Sequence, residues 1–202
     1  MAKYLIHCCN QRQGYVSQSL VPSMLKQGIK EEDIEIWLDT EEKGCLEACM
    51  YIFSNVPDDN NGTWHLQDDI LISKDFKQKT EENDRGLVCG ICTRYNNDPK
   101  FGEVSLADMW YSFPCIRIPN YLARECSDWY YEIAKRSPAY EKYVKANKYD
   151  DSMFKWFLEE RYPDIKPINL KPNIVEHADY LVGGSIINPT RRESATALYW
   201  EG

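Results

Sequence analysis

No apolar run in the 202-residue sequence approaches the roughly 18 residues that a membrane-spanning helix needs. The start, Met1-Ala2-Lys3-Tyr4-Leu5-Ile6-His7, is too short in apolar length for a secretory signal. Low-complexity tracts, internal repeats and linkers are missing as well, which leaves one domain. The eight cysteines lack the dense spacing of a small secreted scaffold, and several sit in apolar strand-like runs. That pattern predicts reduced thiols and a soluble protein of the cytoplasm. Positive charge is scarce in the first half: residues 1–110 carry 11 Lys and Arg against 19 Asp and Glu, whereas 111–202 carry 13 of each. The net charge of −8 therefore belongs to the first half, and it argues against strong nonspecific binding to nucleic acid.

What remains is an ordinary globular composition, 43% hydrophobic and 28% charged, long enough to bury a core without staples. Tyr4–Cys9 reads as a first strand. Val16, Leu20, Met24 and Leu25 then recur at helical spacing until Gly28 stops the helix. Ile34–Leu38 is a second strand ending at Asp39-Thr40, followed by a helix from about Gly44 to Ser54 with Leu46, Cys49, Met50 and Phe53 on one face. After the loop Asp58-Asp59-Asn60-Asn61-Gly62, Trp64–Ile72 reads as a third strand. The second half is less regular, with a strand at Leu87–Cys92, helices at Tyr121–Lys135 and Ser152–Arg161, and a short strand at Ile174–His177. Strands separated by helices of this length predict an α/β fold: an open, mostly parallel sheet with helices on both faces, in a single compact domain. Ligands of such sheets gather beyond the carboxyl ends of the strands, where Cys9-Asn10-Gln11-Arg12, Asp39 and Asp68-Asp69 would meet.

The pair Asp68-Asp69 is the most informative feature. Apolar residues flank it on both sides, so its two carboxylates need a cation or hydrogen-bond donors to offset their burial. Adjacent carboxylates at a strand end suit a hard divalent cation that also touches diphosphate oxygens, since Mg²⁺ or Mn²⁺ fills its octahedron with phosphate and water. Side chains alternate along a strand, so only one of the two need meet the metal. Asp150-Asp151-Ser152 opens an amphipathic helix, where carboxylates and hydroxyls cap free N–H groups.

The order of strand, Arg12, helix, strand ending in Asp39, helix, strand ending in Gln67-Asp68-Asp69, then His177 beside Gly183-Gly184-Ser185, resembles the nucleotide-sugar-dependent glycosyltransferases of the GT-A fold. The segment Leu66-Gln67-Asp68-Asp69-Ile70 is similar to the acidic metal motif of small bacterial and phage-encoded members and of the collagen-galactosyltransferase and lipooligosaccharide type. The resemblance implies a nucleotide- and metal-binding half at 1–110 and an acceptor-side half at 111–202. It makes Asp69 a ligand of Mn²⁺ or Mg²⁺ and Asp68 the neighbour that orients the ligand or contacts the ribose. Asp39 would hold the nucleoside and Arg12 the nucleotide. His177 would complete the metal site, an imidazole suiting Mn²⁺ better than Mg²⁺. Gly183, Gly184 and Ser185 would offer backbone N–H groups to the diphosphate. One of Asp150 and Asp151 would be the general base of an inverting transfer, the other capping the helix. Gln67 departs from the pattern, because the family usually has Asp or Glu there.

The function implied is transfer of a sugar from a nucleotide diphosphate, a UDP-sugar first, to a hydroxyl on a glycan, a protein or a modified phage DNA base. A local basic excess of +3 over residues 115–148 is compatible with DNA. Two other readings stand beside it. A nucleotidyltransferase would open with a glycine-rich phosphate loop, and Asn10-Gln11-Arg12-Gln13-Gly14 holds one glycine; a non-catalytic nucleotide- or glycan-binding relative would bind without turnover. Cys45, Cys49, Cys89 and Cys92 read as free thiols rather than a zinc site. The aromatic run 109–114 reads as an acceptor platform or as core.

Overall fold

The computed structural model describes residues 3–91, 99–109, 113–140 and 150–178. One sheet carries strands from both halves of the chain, in the order β2 (Ile34–Asp39), β1 (Lys3–Cys9), β3 (Gly62–Gln67), β7 (Cys115–Pro119), β5 (Val88–Cys89), β8 (Ile168–Asn169) and β6 (Gly102–Glu103). Five of these strands run one way, and β7 and β6 oppose them. The remaining strands, β4 (Ile70–Ile72) and β9 (Val175–His177), form a separate antiparallel pair.

Alternation along the strands splits the core in two. Tyr4, Ile6 and Cys8 of β1, with Trp64 and Leu66 of β3, face a helical stretch at 13–26, here called α1, and Phe76 of α3 (Phe76–Glu82). The opposite face receives α2 (Cys45–Asn55), α4 (Asn120–Glu132) and α5 (Asp150–Arg161), whose apolar stripes enclose Phe53, Phe113, Phe154 and Phe157. Helices thus cover both faces. The expected stripes Leu46/Cys49/Met50/Phe53 and Met153/Phe154/Phe157/Leu158 are all buried.

Three expectations need correction. Within α1 a π-helical segment, Val16–Leu20, precedes Pro22, which has no N–H to give to the turn before it. Leu25, expected on the core face, is 41% exposed, while Val16, Leu20 and Met24 are buried. Gly28 does end the helix: at φ +80° it lets Gln27, Gly28 and Ile29 donate back to the carbonyls of Met24 and Leu25. Third, the strand expected at Trp64–Ile72 is two strands. It breaks in a turn at Asp68-Asp69, and β4 leaves the main sheet to pair with β9.

The connection from β1 leads outward to β2, whereas that from β3 leads toward the other edge of the sheet. Loops diverging from adjacent parallel strands open a crevice between them. Arg12 follows β1 and Asp68-Asp69 follow β3, so the topology itself brings them together.

Gly62 opens β3 against a buried guanidinium. Arg117 of β7 donates through Nε to Asp84 Oδ1 at 2.9 Å and through Nη1 to the Gly86 carbonyl at 2.7 Å. A methyl at Gly62 would lie 2.5–2.7 Å from its Nη1, Cζ and Nη2 atoms. Gly62→Ala is expected to lower the unfolding free energy in urea by about 1–3 kcal/mol through overpacking. Gly14→Ala, where nothing lies within 4 Å, is the control and should cost nothing.

Candidate active site

The turn after β3 directs both carboxylates of the acidic pair to one cation, and that cation is a side chain. Arg12 Nη1 donates to Asp68 Oδ1 at 2.8 Å and to Asp69 Oδ2 at 2.5 Å, with all three side chains 7% exposed. Strand alternation, which would have sent the two carboxylates to opposite faces, does not apply in the turn. Asp68 uses its second oxygen as well: Oδ2 accepts the N–H of Cys9 at 2.7 Å, which ties the end of β1 to the turn.

Asp69 is held differently. Its backbone carbonyl accepts the N–H of Ala178 at 2.6 Å, and Oδ2 also meets His177 Nε2 at 3.1 Å. His177 arrives because β9 pairs with β4 in the register Ile70↔His177. Burial alone would raise the Asp69 pKa, but the hydrogen bond and charge of His177 and Arg12 outweigh it and hold the carboxyl below its usual range. Asp69 Oδ1 is buried and has no hydrogen-bond partner among the described residues. That orphaned oxygen fits one position of a divalent cation, and His177 would supply a second as a neutral imidazole that exchanges Asp69 Oδ2 for the metal, leaving the other positions to phosphate and water. Among the described residues no group of three or more His, Cys, Asp or Glu side chains is arranged to hold a metal.

Around this cluster lies a cleft of about 470 Å³ lined by Arg12, Asp39, Asp68, Asp69, Asp150 and His177, with His7, Trp37, Gln67 and Cys45. Asp39 ends β2 and accepts the Lys43 N–H at 3.1 Å. Asp150 comes from the other half of the chain, at the first residue of α5, and is 7% exposed. Its Oδ1 accepts the Asp151 N–H at 3.0 Å, and Asp151 Oδ1 accepts the Ser152 N–H at 2.6 Å. Both carboxylates therefore satisfy N–H groups of the helix start, and of the two only Asp150 lines the cleft. Burial first, and then the neighbouring Asp151, pushes the Asp150 carboxyl up to about 7. Burial also raises Asp151.

Every expected site residue within the described part of the chain except Asp151 thus meets in one cleft; Gly183, Gly184 and Ser185 lie outside the described residues, as do Cys92 and residues 110–112 of the aromatic run. Cys49 and Cys89 are buried in the core around α2, while Cys45 faces the cleft. Sequence reasoning passed over His7 and Trp37, and it weighed Cys45 only against a zinc site. The first two carried a usable signal: they lie two residues before Cys9 and Asp39 on their strands, hence on the same face.

No protein-family model matches the chain, and no curated protein matches it in sequence. Among solved structures it is similar to a Bacillus anthracis protein described as a glucose-1-phosphate thymidylyltransferase in complex with a sucrose. The TM-score is 0.46 and the identity 10%, over 88% of this chain and 89% of that one.

Two outcomes are expected. Arg12→Met leaves two buried carboxylates without their cation, and denaturant melts at neutral pH should show a loss on the order of 3–5 kcal/mol. For Asp150, the folded state keeps its proton up to about pH 7 while the unfolded carboxyl ionises near 3.8. The folded state therefore binds more protons between these values, and stability falls as pH rises through that window. Asp150→Asn should remove this slope, so that thermal melts from pH 4 to 8 show the variant gaining on the wild type up to about pH 7 and running parallel above it.

Proposed function

We propose that the chain is a nucleotide-sugar-dependent glycosyltransferase that moves a sugar from a nucleotide diphosphate, a UDP-sugar first, to an acceptor hydroxyl with inversion. The observation that carries this reading is the meeting, in one cleft, of a guanidinium, an acidic pair, an imidazole and a carboxyl with a pKa of about 7. Diphosphate departure needs fixed positive charge, and the acceptor needs a base; these are the two functions that such groups supply.

In this reading residues 1–110 are the donor side and 111–202 the acceptor side. Asp39 binds the nucleoside, and Arg12 faces the diphosphate from its seat on Asp68 and Asp69. Asp68, with both oxygens engaged inside the protein, orients Arg12 and the end of β1. Asp69 and His177 would hold Mn²⁺ or Mg²⁺, whose chemistry is to neutralise charge on the leaving diphosphate. Gly183, Gly184 and Ser185 would add backbone N–H groups. Asp150, in its ionised form, takes the proton of the acceptor hydroxyl as that oxygen bonds to the anomeric carbon. The bond from that carbon to the diphosphate breaks on the opposite face, and the diphosphate leaves with the electron pair. Asp151 caps α5 and keeps Asp150 in place. A glycan, a protein or a hydroxylated base in phage DNA would each present a suitable hydroxyl.

A thermal-shift screen of UDP, GDP, CDP, ADP and dTDP and their sugars, with and without Mn²⁺, tests the reading. One donor should stabilise the protein, more strongly with Mn²⁺. Asp69→Ala should abolish that Mn²⁺ dependence. Asp150→Asn should keep donor affinity while turnover drops about 10²–10⁴-fold, the usual contribution of a positioned base. Full turnover in Asp150→Asn removes the base assignment.

A further inference from the structure

Two imidazoles, His7 in the cleft wall and His65 buried behind it, have no part in that chemistry. His7 Nε2 lies 3.0 Å from His65 Nδ1, the rings set edge to face at 82°. His65 is buried beneath α2, edge-on to Phe53 at 5.1 Å, and its Nε2 has no hydrogen-bond partner among the described residues. Burial holds His7 at about 4, and burial followed by the charge of His7 holds His65 well below its ordinary value. Both rings are therefore neutral at physiological pH. Two neutral imidazoles joined by one hydrogen bond must divide the roles, one donating and one accepting. His65 thereby holds the plane of His7 and couples its tautomer to its own. The other nitrogen of His7, Nδ1, makes no hydrogen bond among the described residues, and the ring lines the cleft.

Register shows what His7 stands beside. On β1 it is opposite Trp37 of β2 and Gln67 of β3, so the three side chains form one row on the cleft face. The charged groups lie beyond that row: Asp39 follows Trp37 by two residues on β2, and the turn after Gln67 carries Asp68 and Asp69 into the same cleft. Phosphate belongs with Arg12 among those charged groups. The row itself offers an aromatic plane, a neutral ring nitrogen and a primary amide, which suit a planar, uncharged partner with hydrogen-bonding edges.

We infer that this row is the nucleobase-reading subsite of the cleft, in which His7 Nδ1 hydrogen-bonds the base, Trp37 stacks on it, and His65 is a positioning residue that sets the orientation of His7. The inference rests on the reading of the cleft as a nucleotide-sugar site. It also gives Gln67 a role: where an acidic residue would repel the carbonyl oxygens of a base, an amide can donate to them.

Titration calorimetry with UDP, GDP, CDP, ADP, dTDP and inorganic pyrophosphate, on wild type and His7→Ala, tests it. The tightest nucleoside diphosphate should weaken about 3- to 10-fold in the variant, the worth of one neutral hydrogen bond, while pyrophosphate binding stays unchanged. Equal affinity of wild type and variant for the nucleotide overturns the inference, and so does an equal loss for pyrophosphate. Wild-type protein labelled with ¹⁵N at histidine gives a second reading that needs no variant. The His7 Nδ1 resonance should shift on adding the nucleotide and not on adding pyrophosphate, and both rings should stay unprotonated down to about pH 5. An Nδ1 signal indifferent to the nucleotide overturns the inference. If none of the five nucleotides binds, it is the underlying reading of the cleft that falls.

Discussion

Two buried carboxylates facing one guanidinium set the terms for the rest of this molecule. Isolated, each of the three charges would be costly to bury. Together they leave the Asp68–Arg12–Asp69 unit one negative charge in excess, before any contribution from His177. The unit joins the loop after β1 to the turn after β3, where the sheet's connections diverge. It turns a topological gap into a rigid wall, because Asp68 also anchors the backbone of Cys9. Burial raises the cost of every unpaired charge here, so the cluster is also where the protein is most selective about what can enter. The excess charge favours a cation or a strong donor, and Asp69 Oδ1 is the atom left to receive it.

The second half of the chain contributes one pairing, His177 on Asp69, and one contrast. Asp150 has a like-charged neighbour and an apolar helix face around it, and its carboxyl is pushed up where that of Asp69 is pushed down. Two acids in one cleft, driven in opposite directions by their surroundings, can take different roles at the same pH. The histidine pair adds a third environment in which burial removes charge altogether. A single cleft therefore grades from ionic through titratable to neutral.

Much of this was legible in the sequence because it depends on periodicity. The first two strands, the stripes of α2 and α5 and the stop at Gly28 follow from spacing and turn chemistry. Arg12, Asp39, Asp68 and Asp69 could be brought together because they follow strands of one sheet. The break at Asp68-Asp69 was not legible: the apolar run Trp64–Ile72 looks continuous, and only the pairing of β4 with β9, 108 residues from Asp69 to His177, shows why it bends. The same bend reversed the argument that the two acids face opposite ways. That Arg12 is the cation they meet was hidden as well, since sequence shows that charge needs a partner without showing which partner is within reach. The His7–His65 pair was missed because each histidine sits in an apolar strand run, where a lone imidazole carries no pattern of its own.

The pairing of β9 with β4 has a consequence for how the protein is made. Arg12, Asp68 and Asp69 lie within 57 residues of one another, on strands that meet in the β2–β1–β3 unit. During synthesis that unit emerges from the ribosome well before His177 does. Until then the two carboxylates have Arg12 but no imidazole, and β4 lacks the strand it pairs with, so the cluster is complete only once β9 is in place. The cleft is thus finished by the last described strand: a chain cut before residue 175 would keep Arg12 beside the acidic pair and lose both the imidazole and the strand against which the turn bends.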